Sequence, residues 1–251
     1  MTIYYSTYKL YKTNKTILLL VFLMFGLSAF SQSKNPELLK KGKELQDLIP
    51  MQWKLLASTN GDLNNDGIND VAFVIENTDK KNIKLNDTDF GRDSINLNPR
   101  ILGIYFGKRN GKLVKKLQSD TFILLQDSPT MDEPFDGIEI LENGVLKIKF
   151  KFWFSAGSWS TSNHTYQFRF QNKAFELINY ESNESHRGTG EETDYSINFL
   201  TQKMKVIVTS FDEETEERIY EETLKEFEIQ QLKSIQSLKK PLEWEFQEIR
   251  I

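Results

Sequence analysis

Residues 61–70, GDLNNDGIND, place Asp62, Asp66 and Asp70 together with three asparagines around Gly67, directly ahead of the apolar run VAFVI. A hard divalent cation takes roughly six to eight oxygen ligands, and a single tight loop can supply them when alternate side chains point inward. Asp62, Asn64 and Asp66 have that alternation, Gly67 permits the sharp bend, the Ile68 carbonyl can turn inward, and Asp70 closes the ring. Oxygen-only donors select Ca²⁺ over zinc or copper. The same residues also make an ordinary Asx turn, so metal site and empty turn are both open at this point. Asparagine in place of acid at 64 and 69 lowers the ligand charge, which puts the expected affinity at roughly 10⁻⁴ to 10⁻³ M, as in extracellular modules.

Other chemistry is sparse. His164 and His186 are the only histidines and there is no cysteine, which excludes most zinc-enzyme layouts. His186, in NESHRGTGEE beside Arg187 and several acids, is the candidate general base of a secreted hydrolase acting on cell-wall or polysaccharide substrate. His164, in TSNHTY, reads as a turn residue at a strand entrance. FSAGSWS lacks the nucleophile-elbow pattern, and paired carboxylates such as Asp132 with Glu133 are unselective. Trp153, Trp159 and Tyr166 surround the small-residue stretch SAGSWSTSN, and exposed rings beside Ser, Asn and Gly can stack on a sugar or a peptide side chain. The alternative is that they pack within the sheet.

These residues need a scaffold. Lys9, Lys12 and Lys15 precede the apolar stretch from Ile17, and Ala29-Phe30-Ser31 offers small residues for a signal peptidase, so residues 1–31 read as a signal peptide and 32–251 as one extracytoplasmic domain. The apolar run is shorter than the roughly 20 residues of a spanning helix, so no membrane insertion is expected after cleavage. The destination is periplasmic, cell-surface or secreted. The formal charge of −4 becomes −7 once three lysines leave with the leader, which argues against nucleic acid and favours an unknown protein or glycan ligand. With no disulfide, stability must come from a core and from any bound ion.

Asn35-Pro36 reads as a helix cap and first turn, with apolar spacing to Ile49 and Pro50 as the stop, giving one short N-terminal helix over 36–49. A short helix from Gln230 is expected before Pro241. Between them the pattern alternates: ten strands are predicted, from VAFVIE at Val71 to RIYEETLKEFEI at Arg218, several joined by tight turns such as Asn110-Gly111 and Asn143-Gly144. In LKIKFKFWF, Ile148, Phe150, Phe152 and Phe154 face one way and Lys147, Lys149, Lys151 and Trp153 the other. Two long polar stretches, from Asn77 and from Ser182, read as loops. The expected fold is mainly β, an antiparallel hairpin meander arranged as a sandwich or as incomplete propeller-like sheets.

The metal stretch also departs from an EF-hand, since Phe73 stands where a bidentate glutamate is needed and a strand follows instead of a helix. GDLNNDGINDVAFVI resembles the calcium loop of FG-GAP and VCBS-type repeats, in which an aspartate-rich turn precedes a strand. The resemblance covers about fifteen residues, occurs once, and implies Asp62, Asn64, Asp66, the Ile68 carbonyl and Asp70 as ligands of a structural Ca²⁺. The wider layout is similar to secreted proteins of Bacteroidota, which implies export and no particular activity. The function expected is therefore an exported binding or envelope-associated module more than an enzyme, with the hydrolase as the alternative.

Overall fold

The computed structural model describes residues 35–251 apart from 213, 214 and 216. The predicted signal peptide lies outside the described residues. Among them, no helix is long and apolar enough to cross a membrane. The fold is mainly β and antiparallel, as expected.

Two sheets carry it. In the first, β1 (Lys41–Gly42), β7 (Leu113–Ser119), β6 (Arg100–Gly107), β3 (Asp70–Asn77) and β2 (Trp53–Gly61) lie in that order. The second is an uninterrupted meander of seven strands, β8 (Phe135–Ile140), β9 (Val145–Phe152), β10 (Ser160–Gln171), β11 (Ala174–His186), β12 (Glu192–Asn198), β13 (Lys203–Phe211) and β14 (Arg218–Glu226). That sheet curls into a half-barrel. Consecutive strands joined by tight turns pair antiparallel because a short connection allows no crossover.

β3 and β6 are covered on both faces, which is why DVAFVIEN and RILGIYFG read as nearly continuous apolar runs. Ala72, Val74, Leu102 and Ile104 pack toward the meander, with Leu146, Ile148, Phe150, Tyr166 and Phe168 in one cluster. Phe73, Ile75, Ile101 and Tyr105 face away and are roofed by Leu38 and Leu48 of the N-terminal segment. Phe122, fully buried on the connection between β7 and β8, meets Tyr166 and Phe168 edge-on at 5.6 and 5.4 Å. Together these clusters make a sandwich with an added N-terminal layer.

The N-terminal helix is much shorter than the 36–49 expected. Helix α1 spans only Leu45–Leu48, and Lys41–Gly42 instead pair with β7. A Cβ on Gly42 would meet the Leu48 side chain at 2.6 Å, so this glycine serves close packing where a regular helix would carry a side chain. The C-terminal helix α2 is likewise one turn, Ile235–Leu238. The stretch from Asn77 is not featureless: it holds a 3₁₀ turn, Lys80–Asn82, and a small hairpin of β4 (Ile83–Leu85) and β5 (Ser94–Asn96). The expected loop from Ser182 is mostly strand, since β11 continues to His186 and β12 begins at Glu192.

Candidate functional sites at the two ends of strand β3

Asp70 and Glu76 stand at opposite ends of β3 on the face that Ala72 and Val74 share, so each charge closes one end of the apolar stripe. The surroundings of the two differ in kind.

At the Asp70 end the loop is held by its own backbone. Asp62 accepts from the Asp66 and Gly67 amides at 3.1 and 2.7 Å, and Asp66 accepts from the Ile68 amide at 3.0 Å. Asn65 and Gly67 have φ of 58° and 79°, the left-handed region that asparagine and glycine tolerate best. Asp70, fully buried, accepts from Leu63 N–H at 2.9 Å and from Gly107 N–H at 2.8 Å, tying the loop to β6. Gly107 is required there, because a Cβ would overlap the Asn69 carbonyl. Burial pushes the Asp70 carboxyl up to about 6; the two amide bonds oppose the rise, and repulsion from Asp66 and Asp62 adds to it.

The donor chemistry suits a hard cation: three carboxylates are near enough for Asp70 to feel the other two, and among the described residues no lysine or arginine forms an ion pair with any of them. Equally, among the described residues no three Asp, Glu, His or Cys side chains are gathered as a ligand cluster. A bound Ca²⁺ would therefore draw on the Asn64 amide and the Ile68 carbonyl as well as on carboxylates.

At the Glu76 end the charges are answered by side chains. Arg100, the register partner of Glu76 on β6, is buried and uses all five donors: Nε and Nη2 to Glu76 (3.0 and 2.8 Å), Nη1 and Nη2 to the two Glu133 oxygens (2.6 and 2.7 Å), and Nη1 to the Leu124 carbonyl (2.7 Å). Glu76 also accepts from Lys54 and Asn96, each at 2.9 Å. Burial alone would raise the Glu76 carboxyl, but Lys54 and Arg100 outweigh it and hold it below the ordinary value. Sequence reasoning missed this network. Its signal was a glutamate at the end of one wholly apolar run and an arginine at the start of the next.

Beyond the network, Arg92, Asp132, Glu133, Lys151 and Trp153 line a surface depression of about 470 Å³. Asp132 is paired with Arg92 at 3.1 Å and Glu133 with Arg100. On β9, Lys147 and Lys149 pair with Glu139 and Asp136, whereas Lys151, among the described residues, has no acid partner. The Arg187 guanidinium lies 5.1 Å from the centre of the Trp153 ring and donates to the carbonyls of Phe154 (2.9 Å), Ser158 and Trp159 (3.3 Å), again with no acid among the described residues. Arg187 thus stacks on the indole and Lys151 lines the same depression as Trp153, neither with an acid partner among the described residues.

Of the predicted aromatic trio, Trp153 and Trp159 belong to this end and Trp159 is 67% exposed. Tyr166 does not: it is buried in the sandwich core, where its hydroxyl accepts from Leu242 N–H at 3.3 Å. A tyrosine two residues from β10's other inward position, Phe168, has to share that face. His164 is also corrected, from turn residue to the middle of β10. Its Nδ1 lies 2.7 Å from the Tyr180 hydroxyl and its Nε2 3.0 Å from Ser162 Oγ, and burial lowers it to about 4.

No protein-family model matches the chain, and no curated protein or solved structure is found similar to it. Function must be argued from the side chains. His186 Nδ1 accepts from Thr189 N–H at 3.1 Å and lies 3.0 Å from Thr189 Oγ1, which donates to Glu191 at 3.0 Å. These bonds close the turn between β11 and β12, and a general base would need that orienting acid on one ring nitrogen with the other aimed at substrate.

Proposed function

We propose that the chain is an extracytoplasmic binding module whose ligand, an anionic saccharide, sits in the depression beside Trp153. The observation that carries this reading is a pair of cations with no acid partner among the described residues, Arg187 stacked on the Trp153 indole and Lys151 on the wall of the depression that Trp153 lines. Indole faces stack on sugar rings, while a lysine ammonium and a guanidinium answer a carboxylate or sulfate. The exposed Trp159, whose carbonyl accepts from Arg187 N–H at 2.8 Å, extends the aromatic surface. Arg187 fixes loop 154–159 through the carbonyls of Phe154, Ser158 and Trp159, so the surface is organised before ligand arrives, which lowers the ordering cost of binding.

In the same proposal the loop from Asp62 to Asp70 binds Ca²⁺ in a structural role, with Asp62, Asn64, Asp66, Asp70 and the Ile68 carbonyl as its ligands. When bound, the ion would neutralise three mutually repelling carboxylates and add its binding free energy to folding. Export through the predicted signal peptide belongs to this reading.

Calorimetric titration with an acidic oligosaccharide such as oligogalacturonate, beside a neutral cello-oligosaccharide, tests the site. Binding of the acidic ligand that weakens with salt, and that falls about tenfold or more in both Trp153→Ala and Lys151→Gln, is the expected result. Equal binding of the neutral sugar, or binding indifferent to both substitutions, would remove the proposal.

A further inference from the structure

A second cavity, of about 570 Å³, opens between the connection that follows β7 and the segment that follows α2. Its floor is apolar, made by Ile123, Leu124, Met131 and Phe152, with Pro241 and Leu242 as one wall. Such a cavity with a few charged groups at its edge is the common form of a small-ligand site. The charges at its rim are unequally satisfied. Arg100 is consumed by Glu76 and Glu133, Lys240 pairs with Glu243 at 3.3 Å, and Arg250 pairs with Glu245 at 3.5 Å. Among the described residues, Asp120 is met only by the Gln118 amide at 2.8 Å, and Asp127 has no hydrogen-bonding or ionic partner.

The wall carries a second mark. Lys239 and Leu242, with φ of 64° and 65°, bracket Lys240-Pro241 in the left-handed region that non-glycine residues avoid. Thr121 Oγ donates to the Lys239 carbonyl at 2.6 Å, and Leu242 N–H donates to the Tyr166 hydroxyl. Backbone held in such conformations by surrounding bonds concentrates at ligand clamps. Neither the Trp153 depression nor the aspartate loop uses these residues.

We infer that this cavity is a separate binding site for an apolar group bearing a cationic amine, the apolar part on Ile123, Met131 and Leu242 and the ammonium between Asp120 and Asp127. A free amine and the lysine-bearing end of a peptide share that chemistry.

Protein labelled with ¹³C at methionine methyls, titrated with phenethylamine, with leucyl-lysine amide and with 3-phenylpropionate, tests the site directly. Saturable movement of the Met131 methyl by at least one of the two amines is expected, with the carboxylate at least tenfold weaker. Asp120→Asn and Asp127→Asn, both at exposed positions, should each weaken the amine about fivefold, the Boltzmann factor of one screened charge contact. The tighter of the two amines identifies the source. Equal binding of 3-phenylpropionate, unchanged affinity in the doubly substituted protein, or no response of Met131 at tens of millimolar amine would each overturn the inference.

Discussion

The two ends of β3 present the same problem and solve it differently. Asp70 and Glu76 are both buried carboxylates on one face of one strand, yet Asp70 is pushed up to about 6 while Glu76 is held below its ordinary value. Two backbone amides hold Asp70 in place without neutralising it, and neighbouring aspartates work against it. Glu76 has an arginine and a lysine. Hydrogen bonds alone therefore fix where a buried carboxylate sits, but an opposite charge decides whether it is comfortable ionised. Among the described residues, one end meets its carboxylates with backbone amides and no cationic side chain, and the other commits Arg100 and Lys54 to Glu76 while Lys151 and Arg187 have no acid partner.

The largest expected effect breaks the satisfied end. Arg100→Met leaves Glu76 and Glu133 without their main partner and should cost about 3–5 kcal/mol, read from urea unfolding, because a buried carboxylate is stranded. Adding Glu76→Leu to that variant should recover most of the loss. Persistence of the loss in the double variant would mean that the network is needed for register and not only for charge balance.

At the other end, Asp70→Ala orphans the Leu63 and Gly107 amides. At about 1–3 kcal/mol for each buried donor the two together cost roughly 2–6 kcal/mol, and removing the desolvated carboxylate offsets part of that, so a net loss of roughly 2–4 kcal/mol is expected even in EDTA. Asp66→Ala, which removes one bond to an exposed amide, should cost well under half as much in EDTA. Similar losses for the two would contradict the division of labour between an anchoring Asp70 and a loop-shaping Asp66.

How far these ends could be read in advance follows from what each one shows in sequence. The Asp70 loop was legible because its chemistry is contiguous, and β3, β6 and β13 were legible because a strand with a buried partner on each side or a regular alternation leaves a strong pattern. β2 was not. A bulge between Leu55 and Ala57 breaks the period-two alternation of WKLLASTNG. The outer halves of β11 and β12 extend beyond the core, so ESNESH and ETD carry no apolar signal and resemble loop. The Arg100 network and the second cavity join residues from 24 to more than 100 positions apart, and local pattern carries no information about such meetings. Tyr166 misled because its neighbours in sequence are polar while its neighbours in space are Phe122, Phe150 and Tyr180.

A third titratable group lies in the meander and sharpens the contrast through pH. His164 titrates at about 4 in the fold against 6.5 ordinarily, because burial opposes its charged form. The unfolded chain therefore binds the extra proton first, and the His164 contribution to stability falls by up to about 3 kcal/mol as pH drops from 6.5 toward 4. Glu76, whose carboxyl is lowered, loses its contribution from the foot of that window downward, as pH falls under its ordinary value of 4.5. Asp70, raised to about 6, acts in the opposite sense over much of the same window, because its folded form takes the proton first and gains stability as pH falls. His164→Gln should therefore leave that gain unopposed, so that the variant becomes more stable relative to the native chain as pH falls from 6.5 to 4, and should leave the loss at lower pH. An unchanged slope would place the titration elsewhere.

The smallest effect bears most directly on the aspartate end. With an affinity of roughly 10⁻³ M, 10 mM Ca²⁺ should stabilise the protein by about 1.4 kcal/mol, a shift of a few degrees in Tm for a domain of this size. Asp66→Ala should abolish that shift while keeping the fold, and Arg100→Met should retain the shift while losing stability, since its defect lies at the other end of β3. A shift that survives Asp66→Ala would move the ion to another site. No shift in any protein would mean that the backbone bonds of Asp62, Asp66 and Asp70 are the whole purpose of the loop, and that a buried aspartate near 6 is the cost of anchoring the eight-residue connection between β2 and β3 to β6.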